Sequence, residues 1–342
     1  MSRGRSSNNR TDIGRRHVIA ATAATLALSP ALGLRVARAA EASKTITVGL
    51  VSWFGPSLQA RHTDSLREGL RSYGYVEGRN LVLLSSFTGG SRERTQDAVR
   101  ADIERHADVF VVTATPAIHI AKEATRTIPI VMAPVADPLA TGLVDSLAHP
   151  GGNLTGMSML GPDLSGKRLE FLQQIMPSLT SIAFLGSSRD ANAKTFVAGT
   201  KAAADRLGLG LATRLIDAPG EIDAALFEQF KREGAQAVVV QPIFMGSQDQ
   251  IAQAAAAARL PAITDYLVFA ETGALLTYGP DDRAPLRRAA YFIDRILKGT
   301  SPADLPIEQP TEFVLAINLK TAAALGLTVP PSLLATADQV IE

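Results

Sequence analysis

No cysteine occurs anywhere in the 342 residues. That excludes disulfides, thiolate chemistry and Cys-ligated metals, and with them a lipid anchor, which needs a cysteine at the point of signal cleavage. Aromatic residues make up only 5% of the chain, with Trp53 the sole tryptophan. After residue 40 there is no basic run interleaved with aromatics, so a nucleic-acid surface is not expected. The five histidines, His17, His62, His106, His119 and His149, stand singly and without metal-ligand spacing. A Gly-x-Ser-x-Gly elbow, a phosphate-cradling Gly-x-x-x-x-Gly-Lys-Ser/Thr loop and a His-Glu-x-x-His pair are all missing. No positioned acid–base pair stands out, so enzymatic chemistry, a cofactor and a metal are not expected. Beyond the first forty residues, no stretch is long and apolar enough to span a membrane.

The first forty residues are themselves distinctive. Arg15-Arg16 precede an apolar run from Val18 to Leu34, which ends at Ala37-Arg38-Ala39. A charged segment, an apolar segment and a small-residue cleavage site together read as an export signal over residues 1–39. The arginine pair suggests the twin-arginine route. Residues 1–39 hold seven arginines and one aspartate. The rest of the chain has 27 basic and 32 acidic residues, so the net charge of +1 for the whole sequence becomes about −5 once the signal is removed. The expected mature protein is acidic, soluble and periplasmic.

From residue 44 onward, short β-branched runs alternate with longer amphipathic stretches. Strands are expected at 45–51, 80–85, 107–113 and 129–133, with helices at 58–73, 92–105 and 116–126 between and after them. The alternation implies βαβ units and parallel sheets. A turn cluster, His149-Pro150-Gly151-Gly152-Asn153, closes this block. The plan then restarts, with strands at 181–186, 211–216, 236–240 and 261–264 and helices between. The segment Val109–Val131 is echoed by Ala237–Ile263: each is an apolar strand, a proline-containing loop, a helix, and an Ile-Pro or Leu-Pro lead into a second strand. The predicted fold is α/β, with two doubly wound Rossmann-like lobes. The expected boundaries are residues 44–155 plus 280–300 for the first lobe and 156–278 plus 310–342 for the second. Prolines 302, 306 and 310 suit an extended crossing between lobes.

In parallel sheets, ligands bind at the carboxyl ends of the strands. The loops expected there carry Ser52, Trp53, Thr115, Asp137, Ser187, Ser188, Gln241, Asp265 and Tyr278. Thr115, Ser187 and Ser188 stand near helix N-termini, where free amides attract a carboxylate. Asp137 suits an ammonium. Trp53, Phe54, Phe244, Tyr266 and Tyr278 suit an apolar body. Taken together they describe an amino-acid-like zwitterion, although each residue alone also fits an ordinary helix cap, turn or core position.

These loops and the segments around them resemble a family of ABC-transporter substrate-binding proteins, the TrpX-like group, with the type I periplasmic binding fold. The resemblance rests on Gly69-Leu70-Arg71-Ser72-Tyr73-Gly74-Tyr75-Val76-Glu77-Gly78-Arg79-Asn80, Ala114-Thr115-Pro116-Ala117, Thr127-Ile128-Pro129-Ile130-Val131, and Asp137-Pro138 through Gly142-Leu143-Val144. It continues in Pro150-Gly151-Gly152-Asn153-Leu154-Thr155-Gly156, Gly166-Lys167-Arg168-Leu169-Glu170, Arg295-Ile296-Leu297-Lys298-Gly299 and Ile317-Asn318-Leu319-Lys320-Thr321. It implies capture of a small solute between two hinged lobes and delivery to an inner-membrane ABC permease, by a carrier expected to be monomeric. Better-understood relatives look like aromatic amino-acid binders. The resemblance also adds Gly156 to the candidate binding residues. The loop Gly186-Ser187-Ser188-Arg189-Asp190-Ala191-Asn192 departs from the Asn-Pro-rich loop of many relatives, and two readings of Arg189 stay open: a forked partner for a carboxylate or a solvated side chain. Chain crossings are expected near Thr155–Ser158, near Leu276–Pro280 and over 300–312. Two alternatives stay open: a sensory module reporting to a membrane receptor, and a secreted enzyme on a similar fold.

Overall fold

The computed structural model describes residues 45–342. The expected export signal lies outside the described residues.

Two sheets organise the chain. The first is wholly parallel, in the order β2-β1-β3-β4-β5, with β1 at Ile46–Ser52, β2 at Leu81–Phe87, β3 at Val109–Thr113, β4 at Ile130–Val135 and β5 at Leu154–Ser158. β3 and β4 are buried at every position, as strands covered on both faces must be, and their sequences are accordingly continuous apolar runs. Helices α1 (Gln59–Ser72), α2 (Arg92–Glu104) and α3 (Thr115–Ala124) are the crossovers.

The second sheet begins with the same plan. β6 (Ser181–Ser187), β7 (Gly210–Ile216), β8 (Val238–Val240), β9 (Ala262–Thr264) and β10 (Leu276–Gly279) run parallel in the order β7-β6-β8-β9-β10. The connecting helices are α4 (Ser165–Ile175), which leads into β6, then α5 (Ala193–Arg206), α6 (Ala224–Arg232), α7 (Gln248–Ala258) and α8 (Leu267–Thr272). The sequence echo therefore falls on topologically equivalent units: β3-α3-β4 in one lobe and β8-α7-β9 in the other. The strand order reverses beside β1 and beside β6, and such switch points open a crevice at the strands' carboxyl ends.

After β10 the chain returns to the first lobe. Helix α9 (Ala284–Leu297) buries Leu286, Ala289, Ala290, Phe292 and Ile293 in one cluster with Leu66 and Leu70 of α1. Pro285 is tolerated at its first turn because no helical N–H is needed there. The chain then goes back, and β11 (Val314–Asn318) joins β10 antiparallel. Helices α10 (Leu319–Leu325) and α11 (Pro331–Leu334) lead to β12 (Gln339–Ile341), which lies parallel to β11.

Two expected boundaries shift. The division between residues 155 and 156 falls inside β5, which pairs with β4 through Ser158 and so keeps the chain in the first lobe. The proline-rich stretch also stays there longer than expected. Glu308 donates its N–H to the Gly156 carbonyl at 2.9 Å and accepts from Ser158 N–H at 2.9 Å, while Thr155 Oγ1 donates to the Leu305 carbonyl at 2.8 Å. Residues 305–308 thus complete the edge that β5 would otherwise expose, a covering that sheets need. The crossings themselves are residues 159–164, 280–283 and 309–313.

Asp102 on α2 is one of several polar side chains buried in the core. It is 3% exposed, and its Oδ2 has no hydrogen-bond partner. Burial pushes its carboxyl up to about 6, with Arg105 opposing. The native state therefore holds this proton to higher pH than the unfolded chain does. Its contribution to stability rises as pH falls from about 6 toward 4, and above 6 the full burial cost remains. Asp102→Asn is expected to raise the urea midpoint at pH 8, with the advantage shrinking as the titration is repeated down to pH 4. An advantage independent of pH contradicts this.

Candidate functional site

The two sheets face each other with the ends of β1, β3 and β4 opposite those of β6, β8 and β9. Between them lies a cavity of about 30 Å³, lined by Phe54, Ala114, Thr115, Pro134, Val135 and Ala136 from the first lobe and Asp190, Phe196, Pro242, Ile243 and Tyr266 from the second. The lining is mostly rings and aliphatic carbon, with one carboxylate, one aliphatic hydroxyl and one phenol.

Most of the lining residues stand at or just after the carboxyl end of a strand. Ala114 has φ 64°, an uncommon value for a residue with a Cβ. It turns the chain sharply from β3 into α3 and brings Thr115 to the first helical position, with Pro116 next. The first-turn amides of α3 are left without helical partners and carry the positive end of the helix dipole. Across the cleft, Asp190 follows β6. Its Oδ2 accepts from Gln241 Nε2 at 2.7 Å and its Oδ1 from Asn192 N–H at 3.1 Å. Among the described residues no basic side chain pairs with it. Burial pushes its carboxyl up to about 6, with these two donors pulling the other way. Burial likewise raises the phenol of Tyr266 well above its ordinary range, with the charge of Asp265 adding to the effect. The ring stays neutral.

The lobes touch directly. Asn192 Nδ2 donates to Thr115 Oγ1 at 2.6 Å, with both residues buried. Arg61 on α1 reaches Glu271 on α8 at 3.3 Å and pairs with Asp282, in the second crossing, at 2.7 Å. Burial alone would raise Asp282, but His62 and Arg61 outweigh it and hold the carboxyl far below the usual range. Gly55 and Gly246 meet backbone to backbone: a Cβ at Gly246 would stand 2.6 Å from Gly55 N, and its φ of 104° also excludes ordinary side chains. This is a closed arrangement, sealed by a glycine seam and one buried amide–hydroxyl bond.

ABC transporter substrate-binding proteins, as a family, match residues 49–341. The chain belongs to this family. A tyrosine-binding protein from Clostridioides difficile (strain R20291) is 26% identical over 273 residues, which is 80% of this chain and 78% of that protein. A crystal structure from Streptococcus pneumonia, of an ABC domain in complex with L-Trp, superposes with a TM-score of 0.80 at 27% identity, covering 87% of this chain and 100% of the other. A conserved domain protein from Vibrio cholerae gives 0.78 at 28% identity, with the same coverage. Members of the family carry solutes and perform no chemistry, so this substrate-binding protein is a carrier rather than an enzyme. Its partners are a small molecule and an ABC permease.

The substrate-binding protein places the sequence candidates unevenly. Thr115 lines the cleft. Gln241 and Ser187 lie one layer behind: Gln241 Oε1 accepts from Ser187 N–H at 2.9 Å while its amide group holds Asp190. Ser52 supports the first-lobe wall, its hydroxyl 3.1 Å from that of Thr113. Trp53 is nearly buried and borders a neighbouring recess with Arg189 and Ala191 of the second lobe. Others turn elsewhere. Asp137 Oδ1 accepts from the N–H groups of Leu139 and Ala140 at 3.0 and 2.9 Å, so its carboxylate caps its own turn. Ser188 bonds Asp217 and the Ile216 carbonyl. Gly156 sits inside β5, where a Cβ would stand 2.4 Å from the Met132 carbonyl oxygen. Tyr278 packs edge-on against Phe171 at 5.3 Å, in the second-lobe core. Asp265 is paired with Arg168.

Asp190, Asn192 and Phe196 were missed as site residues. Asp190 and Asn192 occupy the β6–α5 turn, the counterpart of the turn that carries Thr115, and Phe196 lies in the first turn of α5. That equivalence was the one signal that pointed to them.

The seam gives a direct test. Gly55 has φ −78° and ψ 166°, a conformation open to any residue. A side chain there meets only the seam, since its Cβ would lie 3.3 Å from the Gly246 carbonyl oxygen. Gly55→Val is expected to keep its melting temperature within a few degrees yet show a larger radius of gyration by small-angle scattering. An unchanged radius contradicts the seam's role.

Proposed function

We propose that this carrier takes an α-amino acid with an apolar, preferably aromatic, side chain, and that it works in the periplasm as a soluble, monomeric protein exported by the signal at residues 1–39. The observation that carries the ligand class is the pairing across the cleft. Asp190, a carboxylate with no cationic partner among the described residues, faces the N-terminus of α3, a site with affinity for anions. An α-ammonium on Asp190 and an α-carboxylate at the first turn of α3 beside Thr115 satisfy both at once. Phe54, Phe196 and Tyr266 supply ring faces for the side chain, and aromatic pairs add to what area burial alone contributes. The relatives that bind tyrosine and L-Trp are consistent with that choice.

Binding and closure are then one event. A ligand that touches Thr115 on one lobe and Asp190 on the other favours the state in which the Thr115–Asn192 bond and the glycine seam are made.

Two outcomes follow. Titration calorimetry with L-tyrosine and L-tryptophan is expected to show binding that weakens below about pH 6, approaching about tenfold per pH unit as Asp190 takes up its proton. Asp190→Asn is expected to weaken binding by roughly two orders of magnitude at pH 7.5 and to remove the pH dependence. Tight binding by the variant with the wild-type pH profile rejects Asp190 as the ammonium partner. For the cellular location, a mature N-terminus near Ala40 in the periplasmic fraction supports export, and an intact Met1 opposes it.

A further inference from the structure

Arg168 is the largest fully buried side chain among the described residues, at 1% exposure, and the ligand reading above gives it no task. Its guanidinium ties together the first crossing, the end of β10 and the end of β9. Nη2 donates to the carbonyl of Gly161, in the first crossing, and lies 3.5 Å from Ser165 Oγ at the start of α4. Nη1 donates to the carbonyl of Tyr278 at 3.4 Å, two residues before the second crossing, and pairs with the carboxylate of Asp265. Burial pushes that carboxyl up, and the Arg168 charge opposes it. Asp265 immediately precedes Tyr266, a wall of the cleft.

The surroundings leave this unit no slack. A Cβ on Gly161 would stand 2.8 Å from Asp265 Oδ2 and 2.8 Å from Cζ of Phe196, another cleft wall. A Cβ on Gly279, the last residue of β10, would stand 2.4 Å from the Asp265 carbonyl oxygen. Two of the three segments that join the lobes therefore leave the second lobe from a base fixed by one guanidinium, and that base adjoins two ligand-facing rings.

We propose that Arg168 is a positioning residue for lobe closure: its forked contacts fix the angle at which the first two crossings leave the second lobe and couple that angle to Tyr266 and Phe196. Only an arginine suits this place. Its planar fork spans two carbonyls and a carboxylate together, whereas a lysine presents a single point charge. The coupling to ligand rests on the reading that the cleft is the binding site, but the geometric part does not.

The absence of cysteine makes the test clean. Exposed Gln96 on α2 and Ala225 on α6, one in each lobe, are replaced by cysteine, spin-labelled, and the interlobe distance distribution is measured with and without L-tryptophan. Arg168→Lys in this background is expected to melt within a few degrees of its parent, because the charge opposite Asp265 is kept. It is also expected to show a broadened distance distribution without ligand and about tenfold weaker binding. A parent-like distribution without ligand, in a folded lysine variant, overturns the proposal. If that variant does not fold, Arg168→Met/Asp265→Leu, which removes both charges together, is judged by the same criterion. Failure of the parent to bind any amino acid counts against the ligand reading alone, since the ligand-free distributions still decide the role of Arg168.

Discussion

Asp190 lies at the end of β6 among cleft residues that are mostly hydrocarbon. Two neutral donors reach it and, among the described residues, no side-chain cation does. Taking a carboxylate out of water is expensive unless it is paired or protonated. The protein tolerates that cost because Gln241 anchors the carboxylate from behind and is itself fixed by Ser187. The residue is left poised between charged and neutral, with its titration moved up toward physiological pH. A group in that condition is stabilised by an arriving cation far more than an exposed aspartate would be. On the proposed reading the rest of the cleft follows from this: rings flank the carboxylate, and a helix N-terminus stands ready for the counter-charge of the same ligand.

Closure gives this electrostatic arrangement its meaning. The Asn192–Thr115 bond and the Gly55–Gly246 seam form only when the lobes meet, and the glycines are what let two backbones approach so closely. On the proposed reading, ligand recognition and lobe closure thus share one set of contacts. On the same reading, a solute lacking either charge leaves Asp190 or the α3 amides unmatched.

The sequence made the scaffold largely legible, because buried parallel strands have little freedom in composition. Val109–Thr113 and Ser181–Ser187 lie within two residues of their expected limits. β5 was harder to see. Leu154–Ser158 contains Gly156, lacks a β-branched run, and draws its edge partner from residues 305–308, about 150 positions away, so it read as a crossing. In the site, sequence placed residues on the right strand ends but not the direction of their side chains. Asp137 and Asp190 are both acidic residues just after a strand. One folds back on its own turn amides and the other enters the cleft. Local geometry of a few residues decides between them, and no spacing or composition encodes it.

On the proposed reading the cleft recognises the two charged ends of a free amino acid. Calorimetry comparing L-tryptophan with N-acetyl-L-tryptophan tests it most directly, because acetylation removes the ammonium and keeps the indole and the carboxylate. Clear binding of the free amino acid and none of the acetylated form is expected. Equal binding of the two would contradict it.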